Sequence, residues 1–460
     1  MSNFSKVALI TNDEHLSHKE LEELSSRLVA PLHGRALVIM LVKNDVPSIA
    51  FYVGCLSNSI VPLMVNADIS QDLLKQLINI YVPEFIWGEK ALVDELSGNA
   101  DVLIENRGYV LAQLNSESPC LYPELALLLS TSGSTGSPKL VRQSYQNIKA
   151  NTASIIEYLD IIDTDKAITT LPFGYTYGIS IINSHLAAGA AVILNELSLM
   201  DRGFWNLLKN EEATTFGGVP YTYQMLDRLR FERMDLPSLR YITQAGGRLG
   251  EELHRKFGET CRDKGIDFVV MYGQTEATAR MSYLPASKTL EKVGSIGIAI
   301  PGGSFTLKDV DGRKIEEREV SGELIYEGKN VTLGYALNAS DLAKGDERQG
   351  VLQTGDVAYF DKDGFFYITG RLKRFLKVYG NRVGLDELES ILQKAGILAA
   401  VAGIDDHVRI FVEEGEPDEA VRIIVEATGI NRAAFKAEKI DAIPRNSSGK
   451  VQYSELELLI

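Results

Sequence analysis

The segment Leu128-Leu-Ser-Thr-Ser-Gly-Ser-Thr-Gly-Ser-Pro-Lys139 decides how the chain is read. It leaves an apolar run, Leu125 to Leu129, that has the character of a buried strand. Serines, threonines and glycines follow, then Pro138 and Lys139. Ser144 is a good helix N-cap, and Ile148, Thr152, Ile155 and Ile156 after it are spaced for one helical face. Strand, polar glycine-rich loop and helix together suit a phosphate cradle. Glycines let backbone N–H groups approach an anion, hydroxyls add donors, and lysine neutralises charge. The spacing is not that of a Walker loop, because Gly133 and Gly136 lie three residues apart and Leu140 follows the lysine. On its own such a loop is an ordinary surface connection, so the rest of the chain must carry the reading.

Outward from this segment, strand-like runs alternate with helical patterns. Ala36–Val42, Ile60–Val65, Ala167–Leu171, Ala191–Leu194, Thr214–Val219, Tyr241–Gln244 and Phe268–Tyr272 read as strands, with helices such as Tyr223–Leu229 and Leu253–Lys264 between them. The expectation is an α/β fold: a large N-terminal domain of stacked αβα-type sheets with largely parallel strands. After Pro301 glycine-punctuated strands dominate, and Asp311-Gly312 and Asp363-Gly364 signal hairpins of a β-rich subdomain. Beyond the basic stretch Arg371–Lys377 a smaller α+β unit begins. Leu385, Leu388, Ile391 and Leu392 share a helical face, Val408, Ile410 and Val412 alternate, and Pro417 and Gly429 bracket a further helix. The expected domains are 1–372 and a small mobile C-terminal domain, 373–460.

The net charge of −15 over 460 residues argues against nucleic acid or an anionic membrane as the main partner. It also requires any site for an anion to gather its positive charge locally. Cys55, Cys120 and Cys261 show neither paired nor metal-ligand spacing, which suits a reducing compartment. With no signal-peptide pattern and no apolar run long enough for a membrane span, a cytoplasmic location is expected.

Three further constellations carry chemistry. Tyr272-Gly-Gln-Thr-Glu276 ends a strand where open parallel sheets bind ligands; a tyrosine can stack on a purine, Thr275 can donate to phosphate, and Glu276 can hold Mg²⁺ through a hard oxygen. Thr354-Gly-Asp356 supplies a carboxylate that could accept from a ribose diol, and Arg371 lies fifteen residues on. Ile443-Pro-Arg-Asn-Ser-Ser-Gly-Lys450 puts a lysine in a polar loop near the C-terminus. Each is also readable as a plain turn or a solvated charge.

Taken together, Thr-Ser-Gly-Ser-Thr-Gly-x-Pro-Lys, Tyr-Gly-Gln-Thr-Glu, Thr-Gly-Asp, Gly-Arg and Pro-Arg-x-x-x-Gly-Lys resemble, in order, the motifs of the adenylate-forming superfamily. That superfamily includes acyl- and aryl-CoA synthetases, peptide-synthetase adenylation domains and firefly luciferase. Leu171–Gly178, Gly218-Val-Pro220, Ala245-Gly-Gly247, Gly294–Gly297 and Gly322 to Tyr335 extend the match. The resemblance implies a two-step ligase using ATP and Mg²⁺, with CoA or a phosphopantetheine carrier protein as thiol acceptor for a small carboxylic acid. It assigns Thr131, Ser132, Gly133, Ser134, Thr135, Gly136, Lys139, Gly246, Gly247, Tyr272, Gly273, Gln274, Asp356 and Arg371 to the nucleotide. It gives catalytic roles to Thr275, Glu276 (also the metal ligand) and Lys450. Lys373 becomes the hinge and Gly380 lies beside the pantetheine tunnel.

The acid is expected among Tyr175, Gly178, Thr215–Val219, Gln244–Gly247 and Thr278–Met281, with Tyr175, Gly218, Gln244 and Met281 as contacts. This wall shows no committed counter-ion, which suits a neutral acyl or aryl chain. Departures from the family pattern are Tyr175 where many members have histidine, Leu140 in place of a glycine, and no acidic residue in Pro172–Gly178 to hold an α-ammonium. Loading of a carrier protein, and a non-catalytic nucleotide-binding role, remain as alternatives.

Overall fold

A computed structural model describes residues 5–97, 101–115, 119–130, 139–372, 374–446 and 449–459. Its framework is two large mixed sheets, each with parallel central strands and antiparallel edges, so the expected parallel pattern holds only at the centres. The first orders its strands Gly334–Ala336, Leu140–Ser144, Leu125–Ser130, Val61–Asn66, Leu37–Val42, Phe85–Glu89, Tyr109–Gln113 and Val102–Asn106. The second runs Ile298–Ala299, Ser282–Tyr283, Asp267–Tyr272, Tyr241–Gln244, Thr215–Gly218, Lys166–Ile168, Ala191–Ile193, Val7–Ile10 and His15–Ser17. Central strands such as Leu37–Val42 are buried along their whole length, which is why they read as unbroken apolar runs.

Between the sheets lie Val46–Ser57, Tyr145–Leu159 and Thr176–Ala187. Phe51, Ile148, Ile179 and Ile182 from this layer share one core with Met40, Met64 and Val192 from the strands. Asp45 caps Val46–Ser57 by accepting from the Ser48 amide, and Pro47 occupies its first turn. Ser144 caps Tyr145–Leu159 with a reciprocal box to Asn147.

The architecture corrects the reading of the opening segment in one respect. Leu140–Ser144 is a strand, antiparallel to Leu125–Ser130, with Ser130 facing Leu140. The glycine-rich segment therefore connects two paired strands and does not lead directly into a helix. What stabilises the inserted strand is long-range. Arg142 is wholly buried, pairs with Glu347, and donates to the carbonyls of Leu333, Tyr335 and Lys344.

The β-rich region forms a five-stranded antiparallel sheet, Lys314–Ile315, Gly303–Lys308, Gly322–Gly328, Val351–Phe360 and Phe366–Arg371. Gly312 and Gly364 turn its hairpins with positive φ, as the Asp-Gly pairs require. Further on, the hairpin Phe375–Val378/Asn381–Gly384 precedes a three-stranded sheet of Leu398–Ile404, His407–Glu414 and Phe435–Lys439. Leu385–Lys394 and Pro417–Thr428 pack on that sheet around Leu388, Leu392, Val408, Ile410, Val421 and Ile424. Cys55 and Cys261 are buried and Cys120 is exposed, all as free thiols. Among the described residues no helix is long and apolar enough to cross a membrane.

Candidate active site

Strand Asp267–Tyr272 ends at the edge where the five-stranded sheet meets the second large sheet. A tight passage follows: a Cβ on Gly273 would lie 1.7 Å from the Ala279 carbonyl oxygen, so only glycine fits there. The chain then makes a 3₁₀ turn over Thr275–Ala277.

Tyr272, Gln274, Asp356 and Arg371 converge. Strands Val351–Phe360 and Phe366–Arg371 set Asp356 opposite Arg371 in register. Arg371 Nε lies 3.2 Å from Asp356 Oδ1, Gln274 Nε2 donates to Asp356 Oδ2 at 2.9 Å, and the Tyr272 hydroxyl donates to the same oxygen. Asp356 is 3% exposed. Burial raises its pKa above the ordinary carboxylate value, opposed by the Arg371 charge and then by the Tyr272 and Gln274 hydrogen bonds. Burial, reinforced by Asp356, pushes the Tyr272 phenol well above its usual range.

A second group forms around Tyr335. Its hydroxyl donates to Glu276 Oε1 at 2.7 Å, Lys139 Nζ sits 3.6 Å from the ring centroid, and the Arg348 guanidinium lies 4.6 Å from it. Arg348 also donates to the Glu276 carbonyl. Sequence reasoning placed Tyr335 in a motif without a role. Its part here comes from strand Gly334–Ala336 pairing with Leu140–Ser144 directly after Lys139.

Lys450 reaches the site from the C-terminal unit. Its backbone is held by an Asn446 turn, with Lys450 N donating to Asn446 Oδ1 at 3.0 Å and Gly449 at φ 76°. The ammonium is 5.1 Å from the Tyr175 ring centroid. Removal from solvent, then the Arg371 charge, pushes its pKa down to about 8, with Glu276 pulling the other way. Around it Gly449 packs against Val219, and the Arg445 guanidinium lies 5.7 Å from the Tyr221 ring centroid. Exposed ion pairs Arg228–Glu414, at 2.8 Å, and Lys394–Glu251, at 3.4 Å, link the same two parts of the chain.

Tyr175, Gly246, Gly247, Gly218 and Gln244 gather beside Lys450. Gly246 has φ +82°, and a Cβ there would lie 2.7 Å from the Tyr175 hydroxyl oxygen. Gly247 abuts Pro220, and Gly218 abuts Thr222 and Tyr223. The buried Gln244 amide nitrogen donates to the Ala245 and Gly247 carbonyls, so it closes this loop. Met281 is fully buried with Ala277, Ile300, Tyr326, Val331 and Leu352, and the structure does not bring it to Tyr175. Its neighbour Arg280 turns the other way, onto the Tyr177 ring at 4.3 Å. The segment Thr278–Met281, expected to line the acid, thus carries a buried cation. Arginine's long stem lets it bury its head among aromatic rings, which sequence spacing alone does not show.

Gly380, with φ +84°, forms the tip of the hairpin Phe375–Val378/Asn381–Gly384. Thr131, Ser132, Gly133, Ser134, Thr135, Gly136 and the hinge candidate Lys373 lie outside the described residues.

A family model described as AMP-binding enzyme matches residues 2–336. The chain belongs to that family. Relatives include the indoleacetate–CoA ligase of Aromatoleum aromaticum, 26% identical over 99% of this chain and 95% of its own length. The 2-succinylbenzoate–CoA ligase of Listeria innocua is 25% identical over 98% and 96%, and 4-hydroxybutyrate–CoA ligase 1 of Metallosphaera sedula is 28% identical over 98% and 87%. The fold is shared with the o-succinylbenzoate CoA synthetase of Bacillus subtilis bound to its acyl-adenylate (TM-score 0.79, 22% identity, 98% of this chain and 95% of that one). It is shared too with ATP-bound MatB from Rhodopseudomonas palustris (TM-score 0.80, 22% identity, 100% and 96%). The reaction class is ATP-dependent activation of a carboxylic acid through an acyl-adenylate, followed by thioester formation.

Proposed function

We propose that this ligase joins a small carboxylic acid to CoA: the acid's carboxylate attacks the α-phosphorus of ATP beside Lys450 and expels pyrophosphate, and the CoA thiol, losing its proton, then attacks the acyl carbon and expels AMP. The observation that carries the proposal is the convergence, on one site, of Lys450 from the C-terminal unit with the Asp356–Arg371 pair and the Glu276–Tyr335 pair.

Asp356 is the ribose ligand in this reading, oriented by Arg371, Gln274 and Tyr272. Lys139 and Arg348, which share the Tyr335 ring, hold the distal phosphates in this reading. Lys450 supplies positive charge where negative charge grows on the α-phosphoryl oxygens, an interaction stronger in the transition state than in the ground state. Thr275, next to Glu276, faces the same phosphate. Gly246 and Gly247 let the nucleotide approach the backbone, and Tyr175, Gly218 and Gln244 shape the wall behind the acid.

The donor set fits Mg²⁺. Tyr335 takes one Glu276 oxygen and leaves the other available, and among the described residues no group of three or more His, Cys, Asp or Glu could form an all-protein cage. Mg²⁺ characteristically takes one or two carboxylates and completes its shell with phosphate and water. When bound it would screen polyphosphate charge.

CoA is favoured as acceptor over a carrier protein because the curated relatives are CoA ligases. The boundary is set at 373, and Lys373 is the hinge about which 373–460 turns after adenylation, bringing Gly380 toward the thiol. Among the contacts that would break, the exposed ion pairs Arg228–Glu414 and Lys394–Glu251 are each worth at most about 1 kcal/mol.

ATP–pyrophosphate exchange against fatty, hydroxy, aryl and amino acids, followed by CoA-dependent AMP release, tests the scheme. Exchange with one acid class and thioester formation with CoA are expected. Exchange that persists unchanged in Lys450→Ala would remove Lys450 from the mechanism.

A further inference from the structure

The relatives' acids differ in size and charge, so their names do not choose this chain's substrate. Arg280 does. It is 2% exposed and lies between helix Thr176–Ala187 and strand Asp267–Tyr272. Nη2 donates to Ser180 Oγ at 3.0 Å, Nη1 donates to the Tyr158 hydroxyl at 3.2 Å and to the Met271 sulfur, and the guanidinium lies on the Tyr177 ring. Every one of these partners is neutral. Among the described residues no carboxylate lies within ion-pair distance of Arg280, and its buried Nε has no hydrogen-bond partner. Arg142, the other wholly buried arginine among the described residues, is paired with Glu347.

A buried cation without a counter-charge costs several kcal/mol, and folded proteins normally pair it. Here the surroundings fix its position. The Arg280 carbonyl accepts from Asn151 Nδ2 at 2.9 Å and Asn330 Nδ2 at 3.0 Å, both from buried asparagines. Two residues earlier Thr278 is held at φ 66° by hydrogen bonds from Thr176 to its carbonyl and from its own hydroxyl to Asn330 O. Such a conformation is costly for a β-branched residue and persists only when its surroundings impose it.

The location ties the cation to the acid. Tyr177, under the guanidinium, reaches Thr243 and covers Gly217, while Tyr175, under Lys450, lies 6.3 Å from Tyr177 between ring centroids. Lys450 and Arg280 thus stand at two ends of one aromatic wall.

We propose that the acid carries a second anionic group, a distal carboxylate or its equivalent, which Arg280 binds through its guanidinium with Ser180 and Tyr158 beside it. This rests on the ligase reading above. The unpaired cation then has its counter-ion only when the correct acid is present, which makes it a specificity device: a neutral acid leaves Arg280 unpaired.

The test is ATP–pyrophosphate exchange with linear α,ω-dicarboxylic acids of graded length and aryl dicarboxylic acids, each against its own monomethyl ester. The wild-type protein should favour one diacid over its monoester by on the order of 100-fold in kcat/KM. Arg280→Met should erase that ratio, chiefly through the KM for the acid, and Arg280→Lys should retain part of it. An MgATP-induced thermal shift shared by all three proteins controls for folding. A wild-type preference for monoesters, or a ratio unchanged in Arg280→Met, overturns the proposal. Absence of exchange with every acid, including the neutral panel, while MgATP still binds would instead strike down the ligase reading on which it rests.

Discussion

If Lys450 must be charged to stabilise the adenylation transition state, the rate of that half-reaction should follow its protonation. The ammonium enters a half-buried position against Tyr175, with the Arg371 charge nearby, and its pKa falls from 10.5 to about 8. The direction fixes the sign: the active, protonated form is lost as pH rises through about 8. At a pKa of about 8, roughly three-quarters of the lysine is charged at pH 7.5 and about a tenth at pH 9. The kcat/KM for ATP–pyrophosphate exchange at subsaturating ATP and acid, which reports the free enzyme, should therefore fall about eightfold across that interval. The thiol plays no part in exchange, so its ionisation does not enter. Lys450→Arg keeps a permanent charge and should be slower but flat with pH. Lys450→Ala should lose on the order of 100-fold or more and also be flat. A wild-type profile that is level from pH 7.5 to 9, or a descending limb that survives in Lys450→Ala, would refute the assignment.

Two substitutions probe the supports of the site. Tyr335→Phe keeps the ring under Lys139 and Arg348 but removes the hydroxyl that orients Glu276, and should raise the Mg²⁺ concentration for half-maximal exchange roughly tenfold, read from a Mg²⁺ titration. Gly273→Ala drives a methyl into the Ala279 carbonyl, a backbone atom that has no rotamer with which to yield. It should cost about 3 kcal/mol, lower the melting temperature by several degrees, and suppress exchange even below that temperature.

The elements legible in the sequence are those whose cause is local. Leu37–Val42 and Val61–Asn66 are apolar because they are buried on both faces, and Asp45, Ser144, Pro417 and Gly429 stand where helix ends need them. What the sequence hid has long-range causes. Leu140–Ser144 contains a polar Arg-Gln-Ser run that reads as loop, yet it is a strand because Glu347 and four carbonyls from distant segments satisfy Arg142. Val7–Ile10 pairs with Ala191–Ile193 across most of the large unit, a register no local pattern encodes. Among site residues, Tyr272, Gln274, Glu276, Asp356, Arg371 and Lys450 were visible through ordered motifs. Tyr335 lacked a role until its strand placed it beside Glu276, and Arg280, inside the Thr278–Met281 segment, was not singled out at all. A buried cation cannot be told from a solvated one until its neighbours are known.

The puzzle posed by a net charge of −15 has a structural answer. Lys139 and Arg348 share the Tyr335 ring, Arg371 faces Asp356, and Lys450 comes within reach of Arg371's field. The lowered pKa of Lys450 reflects its burial first and then the neighbouring Arg371 charge. A polyphosphate placed among them reverses the sign of the local field, so ATP binding should raise that pKa again. Linkage then requires proton uptake: near pH 8, where Lys450 is about half charged before the nucleotide arrives, binding should take up as much as about half a proton per nucleotide. MgATP is itself fully ionised at this pH, so the proton must go to the protein. Titration calorimetry in buffers of contrasting ionisation enthalpy reads that number directly, and Lys450→Ala should abolish it while leaving the Asp356 and Glu276 contacts in place. Uptake that is absent in the wild-type protein, or equal in the variant, would mean that Lys450 does not feel the phosphates and that the converging cations serve some other anion.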